Sequence, residues 1–250
     1  MQALGIALEA TDPTTVVDPL RSRLRERGRV AVVRRAGDGF EVDADGWEAA
    51  GPSLSYTDVM DRVARDHDYA LVVGVPDARL PHLTDGRVEA HEPVLTAGAD
   101  TDLDRAIEAI EDADPYETLG SLVRAVKRSN RREYAGAIAT FTGRVRAKED
   151  EDDEFTTSLT FEKYDGVAAE RMREIEADLE SREGVEDVLM HHRVGRIEAG
   201  EDIVFVVVLA GHRRQAFRAV EDGIDALKDA VPIFKKEVTT EESFWVHERE

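Results

Sequence analysis

The sequence predicts two successive domains, an α/β half built on a parallel sheet and an α+β half with mixed strand pairing. Three observations predict this. At 250 residues with 42% hydrophobic content, the chain has enough apolar material for two cores. Its first half alternates short apolar runs with amphipathic stretches, the order that lays strands parallel. Its second half mixes strands and helices without that alternation, and Asp114-Pro115 punctuates the passage between the two. The expected domains are 1–112 and 115–250.

Taken in order, Ala3 to Leu8 is a short apolar run, Asp12-Pro13 a polar turn, and Val16 to Arg27 an amphipathic stretch: strand, loop, helix. Arg29 to Arg34 (RVAVVR) is a second strand. A helical pattern from Tyr56 to Asp66 precedes a third strand, Tyr69 to Val75 (YALVVGV), and Asp102 to Glu111 is an acidic helix. The second half opens with a helix from about Tyr116 to Ser129, then a strand from Ala135 to Val145 (AGAIATFTGRV) that ends at a glycine turn. Glu149 to Glu154 is an acidic run and reads as a solvated surface loop. Strand Thr157 to Lys163, helix Val167 to Arg182, strands Val185 to Arg193 and Asp202 to Ala210, helix Arg214 to Ala230 and a last strand beyond Pro232 complete the order.

Composition removes several function classes. A formal net charge of −21 opposes general nucleic-acid binding, because phosphate backbones are repelled over most of such a surface. Any anionic ligand must meet a local basic pocket. The acidic excess also suits a salt-rich cytoplasm, where counterions screen the self-repulsion. With no cysteine, disulfides, a thiolate nucleophile and thiolate metal sites are absent, so any sulfur chemistry must use sulfur carried by another molecule. Met1 to Ala10 lacks the pattern of a secretory signal, and no run approaches the roughly 18 apolar residues of a membrane span. A cytoplasmic protein without membrane association is expected.

Three segments carry candidate chemistry. Only six of the 33 basic residues are lysine, none precedes Lys127, and Lys228, Lys235 and Lys236 fall within nine residues. A lysine amine can lose its proton when desolvated and act as base, nucleophile or point charge, which arginine cannot. The same cluster also fits a basic last helical turn followed by a solvated strand. On that strand Lys235 and Lys236 point to opposite faces, so only one can share a pocket with Lys228. Gly211-His212-Arg213-Arg214 lies where an apolar strand gives way to a helix, a place suited to phosphate. Thr142-Gly143-Arg144-Val145-Arg146 ends another strand, where the glycine permits close backbone approach. His191-His192-Arg193, His212 and His247 have no metal-ligand spacing, so they read as packing and hydrogen-bonding residues, and neither metal nor resident cofactor is expected. Phe244 and Trp245 read as an anchor for the tail rather than a stacking platform.

From about Tyr134 to Glu250 the chain resembles the catalytic large subunit of molybdopterin synthase. The resemblance is carried by AIATFTGRVR, LTFEKY followed by DG, HHRVGRIEAGEDIVFV, AGHRRQAF, LKDAVPIFKKE and FWVHER, six blocks in order. It implies two essential lysines at Lys228 and Lys235 and a substrate-binding set at Arg146, His212, Arg213 and Arg249. It further implies a small ubiquitin-like sulfur-carrier partner ending in a Gly-Gly thiocarboxylate. The implied substrate is cyclic pyranopterin monophosphate, converted to the molybdopterin dithiolene, and the implied assembly is a homodimer within a heterotetramer. The acidic Glu149 to Glu154 run departs from the family's tighter loop.

Residues 1 to 112, through RVAVVRR and DHDYALVVGVPDARLPHL, resemble the P-loop adaptor protein of molybdenum-cofactor guanylylation. The matching phosphate loop, Ala7 to Thr15 (ALEATDPTT), has lost it: Leu8 and Asp12 stand where glycines belong and Pro13 where the lysine belongs. No nucleotide binding is expected of this half. The competing reading for the whole chain is a non-catalytic adaptor that binds other cofactor-assembly proteins. A general sulfurtransferase is disfavoured because such enzymes carry sulfur on their own cysteine.

Overall fold

The computed structural model describes all residues except 45–46, 52–54, 91, 98–100, 149, 152, 164–165, 240–242 and 247–250; it describes backbone only at 47–48, 51, 162–163, 233–235, 237 and 243–246. The chain divides into Met1–Ser121 and Leu122–Glu250.

The first unit is a three-layer α/β arrangement. Its sheet runs β4 (Trp47–Gly51), β3 (Gly39–Ala44), β2 (Val30–Ala36), β5 (Tyr69–Val73), β1 (Gln2–Ala7), β6 (Pro81–Thr84), β7 (Glu92–Thr96). The five strands from β2 to β7 are parallel, as the strand–helix alternation predicts. The hairpin β3–β4 adds two antiparallel strands at one edge, which the alternation does not show, because its strands are joined without a helix. Strands buried on both faces lose the polar–apolar alternation of a half-exposed sheet. Thus Leu4, Ile6, Val30, Val32, Leu71 and Val73 pack with helices α1 (Thr14–Arg25) and α3 (Leu103–Asp112). Ala3, Ala31, Val33, Ala70 and Val72 face α2 (Tyr56–Val63) on the other side.

After β1 the chain has no glycine-rich cradle. The amides of Glu9 and Ala10 instead donate to one oxygen of Asp85, at 2.9 and 2.7 Å, and the Arg87 amide donates to its other oxygen at 3.1 Å. These bonds hold the Asp85 carboxyl below its ordinary range, the Ala10 amide contributing most. Asp12 likewise accepts from the Thr14 amide at the start of α1.

Helix α4 (Leu119–Val126), shorter than the expected span, leads through the single 3₁₀ turn Arg132–Tyr134 into β8 (Ala137–Arg144). The second unit has two sheets. One orders β10 (Val185–His192), β12 (Asp202–Ala210), β8; the other orders β11 (Gly195–Glu198), β9 (Thr156–Lys163), β13 (Ile233–Thr239), β14 (Ser243–Val246). All pairings in both are antiparallel. Helices α5 (Val167–Glu180) and α6 (Arg213–Ala230) cover the first sheet, closing a core of Val188, Met190, Val204, Val206, Val208, Ala216, Ala219, Val220, Ile224 and Leu227. The short strands β11 and β14 are additions to the expected order. Gly143 of β8 is fixed by packing, since a Cβ there would stand 2.4 Å from Val204 Cγ1. No helix among the described residues is long and apolar enough to cross a membrane.

Candidate active site

The residues singled out by the sequence fall at two ends of the second unit. Strand β12 runs from Asp202 to Ala210, turns at Gly211, and α6 starts with His212 as its extended N-cap and Arg213 as its first helical residue. The helix then returns over the sheet: Gly223 meets Val206 in mid-strand, and Lys228, in the last turn, lies five residues further towards the Asp202 end. At 1.5 Å per residue, Arg213 and Lys228 are separated by about 22 Å along the helix axis. Both are exposed.

Pro232 cannot donate to the helical ladder, so the helix stops and the chain enters β13. There Lys235 is in register with Phe161 of β9 on one side and Val246 of β14 on the other. The Phe161 ring meets His192 edge-on at 5.0 Å, and His192 is in register with Val204 near the start of β12. The Lys235 backbone therefore stands at the same end of the unit as Lys228. Its side chain, and all of Arg249, lie outside the described residues.

Arg146 joins that end. β8 runs antiparallel to β12, so Arg144 is in register with Asp202, and Val145 bonds across to Glu201 and Gly200. The two arginines of this segment part company here. Arg144 pairs with Asp202 (Nε–Oδ1 3.3 Å) and donates to the Gly200 carbonyl. Val145 is buried in a second cluster with Leu159, Phe161 and Ile197, and Arg146 beyond it is exposed. One end thus gathers Lys228, Arg146 and the Lys235 backbone; His212 and Arg213 occupy the other.

The remaining histidine–arginine motif is structural. His192 is buried and its Nδ1 lies 2.6 Å from the Arg193 carbonyl. His191 stacks on Phe205, whose ring also lies 5.3 Å from the Arg193 guanidinium. Among the described residues no cluster of His, Asp and Glu could hold a metal ion. Phe244 and Trp245 sit on β14 opposite Glu237 and Lys236.

The sequence did not reveal a basic groove of about 480 Å³ at the His212 end, lined by Lys127, Arg132, Ala135, Gly136, Ala137, Ile138 and Leu209. The signal was present as four cations in six residues, Lys127, Arg128, Arg131 and Arg132. Nor did it reveal Glu176 of α5, whose Oε1 accepts the Met190 amide at 2.7 Å while burial pushes its carboxyl up to about 7.

Residues 114–230 match the family model described as MoaE protein, so the α+β half is of the molybdopterin synthase large-subunit class. A probable molybdopterin synthase of Haloferax volcanii is 50% identical over the whole of both chains. A molybdopterin synthase catalytic subunit of Pyrococcus abyssi is 40% identical over 44% of this chain and 74% of its own. The chain belongs to the molybdopterin synthase family, sulfurtransferases of molybdenum cofactor biosynthesis. Among solved structures, molybdopterin synthase from Staphylococcus aureus aligns over 54% of this chain and 93% of its own at 28% identity, TM-score 0.46. A MobB protein homologue from Bacillus stearothermophilus aligns over 44% and 94% at 21% identity, TM-score 0.30.

Proposed function

We propose that the second unit transfers sulfur from the thiocarboxylated C-terminus of a small ubiquitin-like subunit to cyclic pyranopterin monophosphate, building the molybdopterin dithiolene. The observation that carries this reading is the course of the chain through Lys228, Pro232 and Lys235. In a protein with six lysines, it brings Lys228 and the Lys235 backbone to the end of the unit where Arg146 emerges. Lys228 and Lys235 neutralise the thiocarboxylate and the oxyanion that develops during transfer, and relay protons. Arg146, His212, Arg213 and Arg249 hold the substrate phosphate and the incoming tail. The absence of cysteine fits, because the carrier brings the sulfur.

His212 and Arg213 stand about 22 Å from Lys228 along α6 and cannot meet the same small substrate within one copy. The reading therefore includes a homodimer, in which one copy presents its His212–Arg213 end to the Lys228–Arg146 end of the other, within a heterotetramer.

The test is reconstitution with the thiocarboxylated carrier and pterin precursor, followed by oxidation to a fluorescent pterin. Lys228→Ala and Lys235→Ala are each expected to abolish product while leaving the circular-dichroism spectrum and carrier binding unchanged. Normal turnover in either variant refutes the assignment. A wild-type chain that binds the carrier and forms no dithiolene favours the adaptor reading instead, for which the filled amide nest at Asp85 in the first unit speaks.

A further inference from the structure

We propose that the acidic turn at Asp150 and Glu151 of one copy seats in the Lys127–Arg132 groove of a second copy, twice per symmetric dimer; this rests on the antiparallel two-fold pairing of the proposed function.

The groove is unusual for this chain. With 54 acidic residues in 250, a cavity lined by two cations and no carboxylate stands out. Of the four neighbouring cations, Arg131 is committed to Glu186 at 2.6 Å and lies over the Tyr134 ring at 5.3 Å. Arg132 spends one nitrogen on the Ser129 carbonyl, at 3.1 Å. The rest of the lining is Ala135 to Ile138 and Leu209, at the start of β8, an edge strand that among the described residues pairs only with β12. Alternate backbone groups of an edge strand face outwards and seek partners. Two cations above open strand edge suit a short acidic peptide, combining charge with main-chain hydrogen bonds.

The acidic turn follows the other end of β8. The Thr156 amide closes its base on the Ala147 carbonyl at 2.9 Å, and Thr239 donates to Glu154 at 2.8 Å. Within it the Asp150 amide donates to Asp153, and Lys148 donates to the Glu151 carbonyl. Asp150 and Glu151 are exposed at its tip. From Ile138 to Arg144 the strand alone spans roughly 20 Å, so turn and groove cannot meet within one copy. The turn lies at the Arg146 end and the groove at the His212 end. A two-fold pairing that brings His212 and Arg213 to the partner's Lys228 sets the groove end of each copy against the turn end of the other.

Zero-length carbodiimide coupling tests this directly, because it joins an ammonium and a carboxylate only in contact. Isotopically light and heavy full-length chains are mixed, exchanged and coupled. The expected product is a mixed-isotope peptide joining Lys127 to Asp150 or Glu151. A pair within one isotope only, or none, overturns the proposal. In parallel, a double variant Lys127→Glu with Arg132→Glu is expected to weaken the dimer at least tenfold by sedimentation at matched thermal stability. Asp150→Lys with Glu151→Lys is expected to do the same, and the two sets combined to recover most of the loss. Wild-type dimerisation in both sets, or no recovery on combination, overturns it. Neither readout uses pterin turnover: the cross-link without dithiolene formation defeats only the proposed function, and dithiolene formation without the cross-link only the latch.

Discussion

Replacing Glu176 with glutamine isolates the cost of keeping a carboxylate against an edge strand. β10 lies at one edge of its sheet, and two carboxylates of α5 take its outward amides: Glu176 from Met190 at 2.7 Å, Glu180 from Val188 at 3.0 Å. Burial pushes the Glu176 carboxyl from an ordinary 4.5 up to about 7, the Met190 amide opposes the rise, and the charge of Glu180 adds to it. Between those two pH values the folded chain holds a proton that the unfolded chain has released, so stability falls as pH rises through this window. At ~1.36 kcal/mol per pH unit the gap is worth at most about 3 kcal/mol. The side chain is only half-buried, and solvent screening reduces this to about 1–2 kcal/mol. Glutamine keeps an acceptor for the Met190 amide and cannot ionise. Glu176→Gln is therefore expected to match the wild type near pH 4.5 and to exceed it by about 1–2 kcal/mol at pH 8. Urea unfolding across pH 4.5 to 8 at constant salt, followed by Trp245 fluorescence in the second unit, reads the difference. Parallel pH profiles, or a glutamine variant weaker at pH 8, refute the reasoning.

Two further outcomes follow from packing and charge. Gly143→Ala drives a methyl group to within 2.4 Å of Val204 and is expected to cost about 1–3 kcal/mol in the same unfolding assay; an unchanged midpoint contradicts that packing. In the first unit, Asp85 has a lowered pKa, so its contribution is present above the ordinary carboxylate range and lost as pH falls through its folded value. Asp85→Asn is expected to flatten the acid limb of the first unit's transition, followed by Trp47, and an unchanged limb argues against the nest. Because that carboxylate already occupies the amides of Glu9 and Ala10, calorimetric titration with GTP is expected to show no binding; saturable micromolar binding overturns it.

Much of the fold was legible because its signals are local. Val16, Val17, Leu20 and Leu24 recur at helical spacing and are buried on α1, and Asp202 to Ala210 reads as a strand and forms the centre of its sheet. The hairpin β3–β4 carries a different signal from the central strands: Phe40, Val42 and Ala44 alternate with Glu41 and Asp43, the period-two pattern of a strand with one face in solvent, where the central strands are continuous apolar runs. The candidate site divides in the same manner. Lys228 and Lys235 were marked by scarcity and Pro232 by its chemistry. Yet nothing in the segment 142–146 shows that Arg144 pairs with Asp202 across the sheet.

The amino-acid sequence by itself determined the types of most elements, the acidic surface and the family, because periodicity, charge count and ordered motifs reside in neighbouring residues. Tertiary structure alone decided that Asp85 fills an amide nest 75 residues away, that Glu176 meets an edge strand, and that the cationic residues divide between two ends of one unit. Those facts depend on strand register and burial, which arise when distant segments pair and leave no periodic trace in either segment alone.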